Sequence, residues 1–124
     1  MTIVCVDDHP IMLKGLYQNI KNLFPNAKVN TFERSDEAYD FVKANSCDVL
    51  ISEIELRGDN GITLANKIKG INPEVNIIFH TVCDEREHAR EVLQIKPSGY
   101  IVKPARVEQL EYELSNLRYN PCAV

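Results

Sequence analysis

The sequence has no surplus of positive charge: 14 Lys and Arg stand against 18 Asp and Glu, a formal charge of −4 over 124 residues. A nucleic-acid surface built on clustered Lys and Arg is therefore not expected. No apolar run approaches the ~20 residues that cross a bilayer, so a membrane span is not expected either. Residues 1–8 lack both the basic start and the small-residue cleavage site of a secretory signal. The four cysteines, Cys5, Cys47, Cys83 and Cys122, form no Cys-x-x-Cys pair and have no His at zinc-finger spacing. A disulfide framework is not expected in a chain long enough to build its own core. Cys5 reads as a small buried hydrophobe, and nothing beside Cys83 marks the lowered thiol pKa that a redox role needs. With 44% hydrophobic residues, such a chain buries roughly two-thirds of its unfolded surface. These features together predict one soluble, cytoplasmic domain.

What is present is a regular alternation. The apolar runs at 3–6, 49–51, 77–79 and 100–102 suit parallel strands buried on both faces. Residues 28–32 alternate polar and apolar, as a strand nearer an edge does. Between the runs the period lengthens to that of helices. Met12, Leu16, Ile20 and Leu23 make one face, with Pro10 in the first turn. Ala38, Phe41 and Val42 follow a capping Ser35. Leu64, Ala65 and Ile68 are stopped by Gly70 and Pro73. Asp84 and Glu87 form a capping box ahead of Ala89, Val92 and Leu93. Val107, Leu110, Leu114 and Leu117 make the last face. The fold class is α/β, a (βα)5 chain wound into a parallel sheet with helices on both faces. Periodicity does not fix the strand order, but it places any site at the carboxyl ends of the strands.

Those ends carry Asp7 and Asp8, Glu33, Glu53, Thr81 and Lys103 in turn. Asp7, Asp8 and Glu53 are hard oxygen donors suited to Mg²⁺, and close carboxylates resist joint ionisation unless a cation intervenes. Lys103 supplies an ammonium, and Thr81 a hydroxyl that donates or accepts. A cation, an ammonium and a hydroxyl around carboxylates are the parts that hold a transferring phosphoryl group.

In this arrangement the chain resembles the receiver (CheY-like) domain of two-component response regulators. The landmarks are Val-Asp-Asp-His-Pro at 6–10, Ile-Ser-Glu-Ile-Glu-Leu-Arg-Gly-Asp-Asn-Gly at 51–61, His-Thr at 80–81 and Gly-Tyr-Ile-Val-Lys-Pro at 99–104. The resemblance implies strand order 2-1-3-4-5, the order the doubly wound class already illustrates with a chemotaxis receiver. It implies a receiver over residues 1–118, with 119–124 as the start of a linker or a tail. It also implies roles: Asp7 and Asp8, with Glu53 and the backbone carbonyl of Glu55, would hold Mg²⁺. Glu53 occupies the phosphoacceptor position, Lys103 contacts the phosphoryl group, Thr81 is the switch hydroxyl and Tyr100 the switch aromatic. The peptide bond before Pro104 is commonly cis in such domains. The expected partners are a histidine kinase or other signalling protein and a DNA-binding output domain in a longer chain. A homodimer through the face of fourth helix, fifth strand and fifth helix is also expected.

One position departs from the pattern. The acceptor of the family is Asp, and here it is Glu53, with Gly58 and Gly61 confirming the register. Asp48 lies at the wrong end of the strand. One more methylene moves a carboxylate by about a bond length, and ~1 Å errors are costly in positioned chemistry. Val82 stands where a small residue is usual and would crowd a phosphate; Arg57 replaces a frequent Pro. The expectation is a pseudo-receiver, phosphorylated poorly or not at all, with weak Mg²⁺ affinity. Glu53 either mimics the active state by reaching Lys103 or locks the inactive one; both remain open. His9, His80 and His88 are not expected to form a metal site, His9 being part of the turn after the first strand. The charged run 84–90 reads as a solvated helix face.

Three other readings compete. A haloacid-dehalogenase-like, Mg-dependent phosphatase would begin Asp-x-Asp and carry a cap, for which 124 residues leave no room. A flavodoxin-like nucleotide or flavin binder needs a phosphate loop after the first strand, and none is there. A phosphate-independent interaction module would keep the fold and not use the acidic site. An enzyme is thus not expected.

Overall fold

The computed structural model describes residues 1–82 and 85–121, with Glu85 described by its backbone only. Five strands alternate with five helices: β1 (Thr2–Val6), α1 (Pro10–Leu23), β2 (Lys28–Phe32), α2 (Ser35–Asn45) and β3 (Val49–Ser52). They continue with α3 (Gly61–Ile71), β4 (Asn76–Thr81), α4 (Ala89–Ile95), β5 (Gly99–Val102) and α5 (Val107–Ser115). A 3-10 turn over Glu85–His88 leads into α4. The strands are parallel in the order β2-β1-β3-β4-β5, a CheY-like flavodoxin fold. The chain reverses its direction of travel across the sheet between β1 and β3, where such folds form their crevice.

The continuous apolar strands make sense because each side of the sheet is covered. Val4, Leu50, Ile77 and Phe79 meet Ala38, Ala65, Ile68 and Ile95 on one side. Ile3, Cys5, Ile51 and Ile78 meet Leu13, Ile20, Leu110 and Leu114 on the other. Each such Leu or Ile contributes roughly 1.5–3 kcal/mol relative to exposure. A one-residue slip would exchange the two cores, so the register is strongly fixed.

The structure corrects several local expectations. The α1 face runs through Leu13, Leu16 and Ile20, and Met12 is exposed; both residues stand at helical spacing from Leu16 and Ile20, and the way α1 lies on the sheet puts Leu13 in the core. Ser35 does not cap α2 with its side chain: it is the first helical residue and is buried, behind Arg34. Asp36 and Glu37 in that first turn offset the helix dipole instead. Gly70 does not stop α3, which continues to Ile71 because that glycine keeps ordinary backbone angles. Asn60 caps this helix by accepting from Thr63 N–H at 2.9 Å. The expected box at Asp84 lies outside the described residues. Within α4, Ile95 is buried while Leu93 is 73% exposed. On α5, Leu110 and Leu114 are buried and Val107 is exposed. Val102 is exposed as well, because β5 is an edge strand and its two faces are not equally covered.

Past α5 the chain turns back under the sheet. The buried Asn76 side chain donates to Tyr119 O and accepts from Tyr119 N–H, both at 2.7 Å. The amide thus pairs with the backbone of residue 119 as a neighbouring strand would.

Candidate functional site

Strand register assembles the site. Val6 pairs with Ser52, so the next residues, Asp7 and Glu53, emerge side by side, and Glu53 N–H donates to Val6 O at 3.0 Å. Thr81 ends β4 opposite Val102, and Lys103 N–H donates to Thr81 O at 2.8 Å. Four of the residues singled out from the sequence thus meet at one edge.

The Lys103 ammonium links two strand ends. Its Nζ lies 2.6 Å from Asp7 Oδ2 and 2.7 Å from Glu53 Oε2. All three side chains are buried, that of Lys103 to within 4% exposure. Burial alone would lower the lysine pKa. The hydrogen bonds to Asp7 and Glu53, with the attraction of both carboxylates, outweigh it and raise the pKa above the ordinary value. The ammonium is therefore fixed at neutral pH.

The other Glu53 oxygen is also engaged. Oε1 accepts from Ile54 N–H at 2.8 Å and from Glu55 N–H at 3.3 Å. The loop is pressed against α3, where a Cβ on Gly61 would run into the Glu53 carbonyl. Only glycine permits that approach. The Lys103–Pro104 peptide is cis.

Asp7 Oδ1 accepts from His9 N–H at 3.0 Å, with His9 Nδ1 at 3.1 Å. The same ring nitrogen is 3.1 Å from Asp8 Oδ1. That oxygen is buried and makes no hydrogen bond, so the nitrogen is close without being aligned for one. His9 sits in the turn after β1, as the sequence predicts, and its ring also comes onto both acids. Its position two residues after Asp7, ahead of a Pro that starts α1, was the available signal. The Arg57 guanidinium, largely exposed, is 3.9 Å from Asp8 Oδ2. It borders a groove of about 460 Å³ that also includes Glu33 and Arg34.

The remaining residues lie around this centre. Thr81 is buried and Val82, the next residue, is 65% exposed. Tyr100 is half-buried against Phe79, their ring centroids 6.1 Å apart. Glu55 has an exposed side chain and meets the site through its backbone N–H. His80 is buried; burial, then repulsion from Lys103, holds its pKa below the ordinary value against the pull of Asp7 and Glu53. Burial pushes the Cys5 thiol up and the Cys47 thiol up to about 12, so neither is a nucleophile. Cys83 lies outside the described residues.

A parallel five-stranded sheet with carboxylates after β1 and β3, a hydroxyl after β4 and a lysine after β5 defines a phosphate-signalling class of site. Residues 3–115 match the family model of the response regulator receiver domain, and the chain belongs to that family, as the receiver domain of a two-component response regulator. It is 33% identical over 111 residues to the oxygen regulatory protein NreC of Staphylococcus haemolyticus, covering 89% of this chain and 51% of that protein. The chain thus spans about half the length of the curated relatives it matches. It is similar to the isolated REC domain of RcsB from Salmonella enterica serovar Typhimurium, solved with the phosphomimetic BeF3⁻. There the identity is 28% and the TM-score 0.82, over 93% of this chain and 86% of that one. A DNA-binding response regulator of the LuxR family from Staphylococcus aureus shares the fold, at 16% identity and TM-score 0.83 over 92% and 95% of the two chains.

Receiver domains typically bind Mg²⁺ at this acidic pocket. The residues here fit a hard divalent ion: Asp7 and Glu53 flank one ammonium, and beside them the buried Asp8 Oδ1 lacks a hydrogen-bond partner.

Proposed function

We propose that this domain is a pseudo-receiver, signalling through its surface with little or no phosphoryl transfer to Glu53. The observation that carries the reading is the buried Glu53 carboxylate, 3% exposed, with both oxygens engaged. For Glu53 to attack a phosphoryl donor, Oε2 would have to leave Lys103. The acyl phosphate would then extend about a bond length beyond the donors arranged for the shorter acid. Glu53 fills with its own carboxylate the position where Lys103 would meet a phosphoryl group. This is the contact a phosphate mimic requires, with one charge in place of phosphate's −1.5 to −2.

Asp7, Asp8, Glu53 and the Glu55 carbonyl are the proposed Mg²⁺ ligands. When bound, the ion supplies positive charge against the carboxylates and any phosphoryl oxygens brought to them. Thr81 and Tyr100 are the proposed switch pair, one beside the acids and the other packed on Phe79. The reading makes the domain a signalling module rather than a small phosphatase. It goes with a cytoplasmic location, a histidine kinase or related signalling partner, and a DNA-binding output domain in a longer protein.

Incubation with Mg²⁺ and acetyl phosphate, read by intact mass, is expected to leave the protein unmodified. Stoichiometric phosphoryl addition at Glu53 overturns the proposal.

The partner face is α4–β5–α5. Leu93 is 73% and Tyr112 63% exposed there, with Val102 and Val107 also open, more apolar surface than these short elements need to present to water. Sedimentation over a range of concentrations is expected to show self-association that Leu93→Glu with Tyr112→Glu removes. A wild type that stays monomeric throughout refutes the homodimer. Association unchanged in both Glu53→Asp and Glu53→Gln would identify a phosphate-independent module instead.

A further inference from the structure

We propose that residues 118–121 are a fixed exit from the domain rather than a loose linker. The amino ends of β4 and β5 grip the chain there and set the direction in which a following domain would leave. The inference is independent of the acidic pocket, because Asn76 and Thr81 stand at opposite ends of β4. The 111 matched residues make up 51% of the NreC protein of Staphylococcus haemolyticus. The way the chain leaves this domain therefore bears on how a second one would be held.

The grip is built on Asn76. This residue opens β4 ahead of the apolar Ile77, Ile78 and Phe79, and it is 1% exposed. The strand itself needs no amide there: Asn is depleted in strands, and the Asn76 backbone N–H already donates to Asp48 O at 2.9 Å. A buried side-chain amide is costly unless its donors and its oxygen are met. Here Nδ2 donates to Asp48 O at 3.1 Å and to Tyr119 O at 2.7 Å, and Oδ1 accepts from Tyr119 N–H at 2.7 Å. Two of the three bonds go to the backbone of one exit residue, so the amide is matched to that segment.

Ser98, immediately before β5, provides a second hold, its Oγ accepting from Arg118 N–H at 3.0 Å. Two consecutive backbone N–H groups are thus held by side chains from the starts of two strands. The half-buried Tyr119 ring is held as well: Lys69 Nζ of α3 lies 5.7 Å and the Arg118 guanidinium 6.0 Å from its centroid. Beyond the ring comes the Asn120-Pro121 step. Proline fixes its own φ and turns the residue before it away from helical backbone. The direction set at Tyr119 is carried onward by a stiff pair.

The test compares wild type, Asn76→Val and Ser98→Ala by ¹⁵N relaxation at residues 119 and 120. Trypsin cleavage of the Arg118–Tyr119 bond, followed by intact mass, gives a second reading. Valine suits a strand and Ser98 lies outside both cores, so both variants are expected to keep a cooperative urea transition. Order parameters should be about 0.85 in wild type and below about 0.6 in Asn76→Val. Cleavage at Arg118 should rise by roughly tenfold or more in Asn76→Val, where two bonds no longer oppose local opening, and by less in Ser98→Ala. Wild-type order parameters already below about 0.6 overturn the fixed exit. So does a folded Asn76→Val cleaved no faster than wild type. Cleavage that rises equally at other sites in both variants marks general loosening of the fold, and also refutes the grip.

Discussion

Lys103→Met is expected to lower the unfolding free energy by about 3–5 kcal/mol, the usual cost of removing one partner from a buried ion pair. Asp7 Oδ2 and Glu53 Oε2 both rest on the same ammonium, at 2.6 and 2.7 Å. Without it, two carboxylates less than 4% exposed face each other across β1 and β3 with nothing between them. Methionine replaces the stem of the side chain but not its charge, so the loss reports electrostatics rather than a cavity. Two controls separate the causes. Adding Glu53→Gln to Lys103→Met removes one of the stranded charges and should recover a large part of the loss. Millimolar Mg²⁺ should stabilise Lys103→Met more than wild type, because the ion takes over the neutralising role. Urea unfolding with a constant m-value measures all three. The folded-state pKa of Lys103 is raised, so its stabilisation is complete at neutral pH. It is lost only as the pH climbs past the ordinary lysine range through that raised value. A Lys103→Met protein as stable as wild type would show that the acids are relieved in some other way.

The sheet was legible from the sequence because parallel strands covered on both sides must be apolar throughout, and four such runs stand out. The strand order came from the family resemblance, since runs at 3–6 and 49–51 look alike whichever way they are placed. Helix faces were legible to within one residue: Leu16 and Ile20 located α1, but the choice between Met12 and Leu13 depends on the angle at which the helix meets β1. Caps were less legible. Ser35 and Asn60 are both residues that favour N-caps, and only the position of the chain decides that one is buried inside the first turn and the other accepts from Thr63. The site residues were legible as strand-end chemistry, because strand ends in this fold converge. Their hydrogen bonds were not. That Glu53 spends both oxygens inside the protein, and that the His9 ring comes onto the two acids, depends on side-chain directions that spacing does not encode. Val82, read as crowding the approach of a phosphate, is 65% exposed next to the buried Thr81, and exposure alone does not decide that reading. The buried, doubly engaged Glu53 carboxylate carries the case for weak phosphorylation.

Glu53→Asp is accordingly expected to restore phosphorylation, raising the rate of acetyl phosphate modification by roughly 10²-fold or more, as removing a ~1 Å misplacement does. Shortening the side chain draws the carboxylate back toward β3 by about a bond length and takes it off Lys103. The ammonium keeps Asp7 at 2.6 Å and gains an open side, where a transferred phosphoryl group would meet it. Thr81 stays at the end of β4, held by strand pairing that does not involve residue 53. The loop after β3 keeps its backbone, because Gly61 N–H still holds Ile54 O at 2.7 Å and α3 still packs on the Glu53 carbonyl position. One ion-paired contact is given up, so stability should fall by no more than about 1–3 kcal/mol, and the variant remains folded. Intact mass after timed incubation with Mg²⁺ and acetyl phosphate should show a single phosphoryl group that peptide mapping places at residue 53. A folded Glu53→Asp that stays unmodified would mean that the defect lies elsewhere in the pocket. The displaced Glu53 carboxylate would then be a consequence of lost chemistry rather than its cause.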